Sequence, residues 1–259
     1  MHIDGPLYVE RLGYQGRPMV FIHPMPLDLS SWLYQMARFS TWFRTIGIDV
    51  PGFGRSPSVQ PPMTMREAAQ ACWDAVDRIA DEPAVLVGSS VGSNTILHMA
   101  QLRPERTLAM IHTGCGYLPV KEFAPRRIAQ YNEQGIALRR EHAFFDYSPT
   151  FQSTDLARYF VDMFVERNDT SDAPTIVEML RALGEPDPDW LFDVHMPMLI
   201  ITGGEDGSHK AAFALQARVK DCELVTIEGA GHACNMEKPW EWDRHALDFL
   251  ARHGLMERP

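Results

Sequence analysis

Ala84-Val-Leu-Val-Gly88-Ser89-Ser90-Val91-Gly92-Ser93-Asn94-Thr95 reads as a strand, a sharp turn and the start of a helix. The aliphatic run before Gly88 has the character of a buried strand, and Val91–Leu102 carries helical spacing that stops before Pro104. Between them lies GxSxG. Small residues gather at strand ends by chance, and a tight helix–strand contact would account for Gly88 and Gly92 without any chemistry. The setting gives the string a second meaning. A nucleophile held on such a turn has a strained backbone, and side chains two positions to either side would collide with the neighbouring strand and helix. Ser90 would then project its hydroxyl above the sheet, with the Val91 N–H at the positive end of the helix where an oxyanion would form.

Outward from this segment, runs rich in β-branched residues recur at Met19–His23, Thr45–Val50, Leu108–Thr113, Met198–Thr202 and Leu224–Ile227. Helical spacing separates most of them, at Met65–Ala80 behind a Thr64 N-cap, Ala211–Val219 and Trp240–His253. Alternation of this kind predicts an α/β fold, a mostly parallel sheet covered by helices on both faces. It breaks between about Cys115 and His195, where apolar residues such as Tyr159, Phe160, Met163 and Phe164 recur at helical intervals. So long a structureless loop is improbable in a compact domain, so a helical insertion is expected, joined through Gly114-Cys115-Gly116 and the Pro186–Pro188 stretch. The domain boundaries expected are a core of 1–114 and 196–259 and a cap of 115–195.

The Ser90 segment resembles the nucleophile elbow of the α/β-hydrolase family, and three further segments resemble that family in the right order. Phe21-Ile-His23-Pro24-Met25-Pro26 is similar to its HGxP loop, whose x residue donates the second oxyanion N–H; Met25 stands there. Asp49-Val-Pro51-Gly52-Phe53-Gly54-Arg55-Ser56 matches its DxPGxGxS turn, a packing signature. Gly203-Gly204-Glu205-Asp206 resembles the GxxD strand end, and Gly231-His232 with Glu237 and Pro239 resembles the GHxxxxExP loop. The resemblance implies the α/β-hydrolase fold, with an eight-stranded sheet and an inserted helical cap, and a catalytic Ser90, Asp206 and His232 in that chain order. It also implies an oxyanion hole made by the Met25 and Val91 N–H groups.

The chemistry needs all three residue types. A serine hydroxyl is scarcely nucleophilic at neutral pH, an imidazole can take its proton and return it to the leaving group, and a carboxylate fixes the tautomer and stabilises the imidazolium. Glu205 is the rival acid, adjacent to Asp206 but out of register with GxxD; after the sixth strand, where some family members place the acid, Thr113-Gly114-Cys115-Gly116 offers no carboxylate. Two positions depart from the family: Pro24 replaces a glycine, which removes an N–H, and Ser89 replaces a frequent histidine. Ser89 and Ser93 lack glycines at the required spacing. His23 is expected to orient the oxyanion loop, and the remaining histidines fall within elements or at their ends.

Composition excludes several classes. A net charge of −10 with acidic residues spread along 259 residues leaves no basic footprint for nucleic acid. No apolar run approaches the roughly 20 residues of a membrane span, and Asp4 and Gly5-Pro6 interrupt any signal-like run, so a cytoplasmic protein with no membrane partner is expected. The four cysteines form no CxxC pair, which points to reduced thiols. Neither HExxH, GxGxxG nor GK[ST] occurs, so no metal and no cofactor are implied. The partner expected is a small molecule; monomer and homodimer are equally open.

The cap is rich in aromatic residues, most of them expected in its own core and a minority at a pocket. Met25, Trp32, Tyr117, Phe144, Phe145, Tyr159 and Met163 are the candidate substrate contacts, which suits a small or medium, largely apolar ester or lactone cleaved through an acyl-enzyme. Carbon–carbon bond hydrolases and enol-lactonases share the triad order and remain open. The loop at 23–32 is also similar to that of cofactor-free haloperoxidases and perhydrolases, and a slow-turnover ligand sensor is the reading from another class.

Overall fold

The computed structural model describes residues 2–3, 5–115, 119–167, 171–186 and 188–256. Nine strands are present among them: β1 (His2–Ile3), β2 (Val9–Leu12), β3 (Pro18–Ile22), β4 (Arg44–Ile48), β5 (Val59–Gln60), β6 (Ala84–Ser89), β7 (Thr107–Thr113), β8 (Met198–Gly203) and β9 (Cys222–Ile227). Seven form the main sheet, in the order β2-β4-β3-β6-β7-β8-β9, and β1 pairs with β5 apart from it. The main sheet is thus one strand short of eight among the described residues. β2 runs antiparallel to β4 at one edge, and every other neighbour pair is parallel.

Each run of aliphatic residues serves two cores at once. On β3 and β6, Met19, Phe21, Val85 and Val87 face one buried cluster while Val20, Ile22 and Leu86 face the other. Strands covered on both faces need apolar residues at every position, which is why they read as continuous runs instead of alternating ones. β2 has no such run: its residues are half-buried or exposed, and the sequence reading missed it.

Six helices flank the sheet: α1 (Leu33–Phe39), α2 (Met65–Asp77), α3 (Val91–Leu102), α9 (His209–Arg218), α10 (Cys234–Glu237) and α11 (Pro239–Arg252). Thr64 caps α2 as expected, its hydroxyl accepting from the Glu67 N–H while the Glu67 carboxylate accepts from the Thr64 N–H. Trp32 is fully buried against Phe21 and Trp242, and its indole N–H donates to the Ile22 carbonyl at 3.0 Å. This bond and the ring contacts hold the start of α1 to the sheet.

Between β7 and β8 the described residues form helices and 3₁₀ turns but no strand: α4 (Pro119–Gln134), α5 (Leu138–Phe145), α6 (Pro149–Gln152), α7 (Asp155–Arg167) and α8 (Ala173–Gly184). Tyr147, Phe160 and Phe164 make a small core for this insertion together with Leu27, Ala233 and Met236 from the sheet side. α4 packs along α8, and buried residues such as Tyr131 and Leu180 continue the apolar core beneath them. No described helix is long and apolar enough to cross a membrane. Cys72, Cys222 and Cys234 are free thiols, and the Cys115 sulfur accepts from the Ser93 hydroxyl at 3.8 Å.

Candidate active site

The turn after β6 has the conformation that the spacing demands. Ser90 has φ 53°, the positive-φ value that a residue with a Cβ rarely adopts, and among the described residues it is alone in this apart from glycines. A Cβ on Gly88 would lie 2.3 Å from the Gly92 carbonyl oxygen, and one on Gly92 would lie 2.1 Å from that of Ile22. The glycines are therefore required by close approach of α3 to β6 and β3. A serine at a helix N-terminus ordinarily caps it, yet Ser90 makes no side-chain cap bond. Its hydroxyl is left for other work, while its N–H donates to the Thr113 carbonyl at 3.0 Å.

Asp206 follows β8 and His232 follows β9, and the two loops are held together by backbone. The N–H groups of Gly204 and Glu205 donate to the carbonyls of Ile227 and Ala230, each at 2.9 Å. A Cβ on Gly203 would meet the Gly231 carbonyl oxygen at 2.1 Å, so this approach too depends on glycine. His232 Nδ1 lies 3.0 Å from both carboxylate oxygens of Asp206. Asp206 also accepts from the Ser208 N–H at 2.7 Å and from its hydroxyl at 2.8 Å, and the Ser208 hydroxyl lies 3.1 Å from His232 Nδ1. Sequence reasoning missed Ser208; the signal was Asp-x-Ser, the spacing at which a carboxylate closes an Asx-turn. Glu205 is exposed, and the ring hydrogen bond goes to Asp206.

Burial opposes ionisation of Asp206, but the His232 charge, the hydrogen bond to its ring and those from Ser208 outweigh it and lower the carboxyl below its ordinary value. For His232 burial opposes the charged ring, and the neighbouring Asp206 carboxylate, its hydrogen bond and the charge of Asp146 outweigh that, raising the imidazole.

Ser90, Asp206 and His232 line one cavity of about 400 Å³. Ser90 and His232 line this cavity without a direct hydrogen bond between them among the described residues. Met25 lines the same cavity, and its N–H donates to no main-chain group among the described residues. Val91 is the first residue of α3, so its N–H has no partner within the helix. His23 supports this loop from beneath: buried, it accepts from the Val50 N–H at 2.9 Å and turns Nδ1 to the Pro24 carbonyl.

Of the candidate substrate contacts, Met25 and Phe145 line the cavity. Trp32, locked in the core beside Phe21, does not. Phe144 and Met163 pack on the insertion's own core, and Tyr159 points to solvent. Helical spacing marked these residues as apolar but not which face of the insertion they occupy. Tyr117 lies outside the described residues. The cavity is also less apolar than expected: besides Phe123, Tyr147 and Leu180, the insertion contributes Arg127, His142 and Asp146.

Asp146 has a defined place. The Ala233 N–H donates to its carbonyl at 3.0 Å, and Glu237 accepts from the N–H groups of Ser148 and Gly231, each at 2.9 Å. The turn after α5 is thus stapled to the histidine loop. Burial pushes the Asp146 carboxyl up to about 7, against the charge of His232.

A model of the alpha/beta hydrolase family matches residues 19–242. Curated relatives include the dihydrolipoyllysine-residue acetyltransferase component of an acetoin cleaving system from Pseudomonas putida, 24% identical over 93% of this chain, which spans 65% of that protein. An (E)-2-((N-methylformamido)methylene)succinate hydrolase from Acinetobacter baylyi is 23% identical over 87% of each chain. A 2-hydroxy-6-oxononadienedioate/2-hydroxy-6-oxononatrienedioate hydrolase from a Pseudomonas species is 24% identical over 96% of this chain and 93% of its own length. Among solved structures, a thermophilic esterase from Thermogutta terrifontis superposes with a TM-score of 0.81 at 22% identity, covering 95% of this chain and 93% of that one. At that identity the likeness is one of fold.

Proposed function

The chain belongs to the alpha/beta hydrolase family, and from that premise we propose that it is a serine hydrolase that cleaves a small to medium carboxylic ester or lactone through an acyl-enzyme. One observation carries the reading: a strained serine with an uncommitted hydroxyl shares a cavity with an imidazole whose Nδ1 is held by a buried carboxylate. Ser90 attacks the carbonyl carbon and its proton passes to His232 Nε2. Asp206 holds the ring with Nδ1 protonated, supported by Ser208. The tetrahedral oxyanion rests on the Met25 and Val91 N–H groups; loss of one such donor typically costs roughly 3 kcal/mol in the transition state. His232 then protonates the leaving group and activates the water that releases the acid. In this reading 115–195 acts as a cap over Ser90, and the free thiols of Cys72, Cys222 and Cys234 suit a reducing, cytoplasmic setting.

A second reading is cleavage of a carbon–carbon bond or an enol-lactone in a ring-cleavage product. It draws support from the relative named as an oxononadienedioate hydrolase and from the charged side chains in the cavity wall. The experiment that tests both is a screen of ester, lactone and vinylogous diketone substrates against wild type and Ser90→Ala. The proposal expects ester or lactone turnover that falls about a millionfold in the variant. Near-normal turnover by Ser90→Ala would overturn the nucleophile, and a single burst of one product per protein would mark a ligand sensor instead.

A further inference from the structure

The wall of the cavity opposite the strand ends holds an arginine with an unused buried donor. Arg127, on α4, lines the cavity, and its Nε is buried with no hydrogen-bond partner. Its guanidinium lies 5.2 Å from the Phe123 ring centroid, and it forms no ion pair among the described residues. A buried guanidinium N–H with no acceptor is costly unless a ligand completes it, and the planar fork of an arginine suits a carboxylate. The Asp146 carboxyl shares the cavity and feels the Arg127 charge, but the two form no ion pair. Asp146 Oδ2 is itself buried without a partner, and the backbone bond from Ala233 fixes the residue beside the histidine loop.

Resting on the reading of Ser90 as nucleophile, we propose that the substrate carries a carboxylate remote from the scissile carbonyl, and that Arg127 binds it against the insertion's wall. His142 cannot take that part as a cation: burial and the nearby Arg127 and His232 charges push it down to about 3, and its Nδ1 lies 2.8 Å from the Tyr131 hydroxyl. Asp146 fits the same ligand in its neutral form. With burial pushing its carboxyl to about 7, an arriving anion favours the protonated acid, which can donate a second hydrogen bond from the unpartnered oxygen. The apolar residues Phe123, Leu180 and Leu183 then cover the chain between the two polar ends.

The test compares mono-4-nitrophenyl adipate with 4-nitrophenyl hexanoate, esters of equal chain length that differ in the terminal carboxylate. Wild type should prefer the adipate ester, and Arg127→Met should reduce the preference, measured as the ratio of kcat/KM values, at least tenfold and through KM, with Arg127→Lys restoring part of it. Calorimetric titration of adipate gives a readout free of turnover, and binding should weaken at least tenfold in Arg127→Met. Equal loss on both esters, or no wild-type preference, overturns the inference while leaving the serine mechanism intact. If neither ester is turned over, the mechanism falls and the titration alone decides: Arg127-dependent adipate binding supports the anion site, and its absence refutes it.

Discussion

The cavity has two walls built on opposite terms. On the strand-end side the charged groups are matched within the protein: Asp206 with His232 and Ser208, Glu237 with Ser148 and Gly231. On the side of the insertion, Arg127 Nε and Asp146 Oδ2 are buried with no partner. Satisfied polar groups hold one geometry, which is what a reaction common to many substrates needs. Unsatisfied ones cost stability until something binds, which is what selection of one substrate needs. In the proposed reading, machinery and selectivity thus occupy different elements, the loops after β6, β8 and β9 on one side and helix α4 with the turn after α5 on the other.

The largest effect that would sharpen this contrast is expected at Asp206. Asp206→Asn keeps the shape but presents an amide to His232 Nδ1 and favours the wrong tautomer, so kcat on any accepted ester should fall roughly ten-thousandfold with little change in KM. A drop of less than tenfold, by steady-state kinetics, would break the claim that this wall is the machinery. Gly92→Ala comes next. Its new Cβ would sit 2.1 Å from the Ile22 carbonyl oxygen, so α3 must move away from β3, at a cost of roughly 3 kcal/mol in urea unfolding. Stability within about 0.5 kcal/mol of wild type would show that the elbow has slack.

The smallest effect should come from Asp146→Asn. His232 acts as a base only when neutral, so kcat/KM rises with pH through the pKa of its ring. The charges facing Asp146 are His232, Asp206 and Arg127, and its own negative charge helps to raise the ring. Removing that charge lowers the ring pKa, so the acid limb of the profile should move to lower pH by about half a unit on a neutral ester. Because burial holds the Asp146 carboxyl at about 7, the change should be largest above that pH, where wild type carries the charge. A limb that stays in place or moves upward would separate Asp146 from the triad.

How much of the fold and the site is legible in the sequence follows from where the demands on each residue lie. Thr64, Gly88 and Gly92 answer to neighbours a few residues or one strand away, so their spacing by itself announces a capped helix and a turn. β2 was missed because an edge strand half in water carries no continuous apolar run. Trp32 was misplaced because an aromatic near an oxyanion loop looks the same in sequence whether it faces a ligand or, as here, Phe21 and Trp242. Ser208 was overlooked although its distance from Asp206 is a turn signal.

From the sequence alone came the sheet-and-helix alternation, the elbow and the chain order of hydroxyl, carboxylate and imidazole. Each is set by local backbone sterics and by strand ends that a parallel sheet must bring to one edge. The tertiary structure decided that Arg127 and Asp146 join that site. They are brought there by the packing of α4 along α8 and by the bond that ties the turn after α5 to the histidine loop, and a helical period shows which residues share a face but not what the face meets.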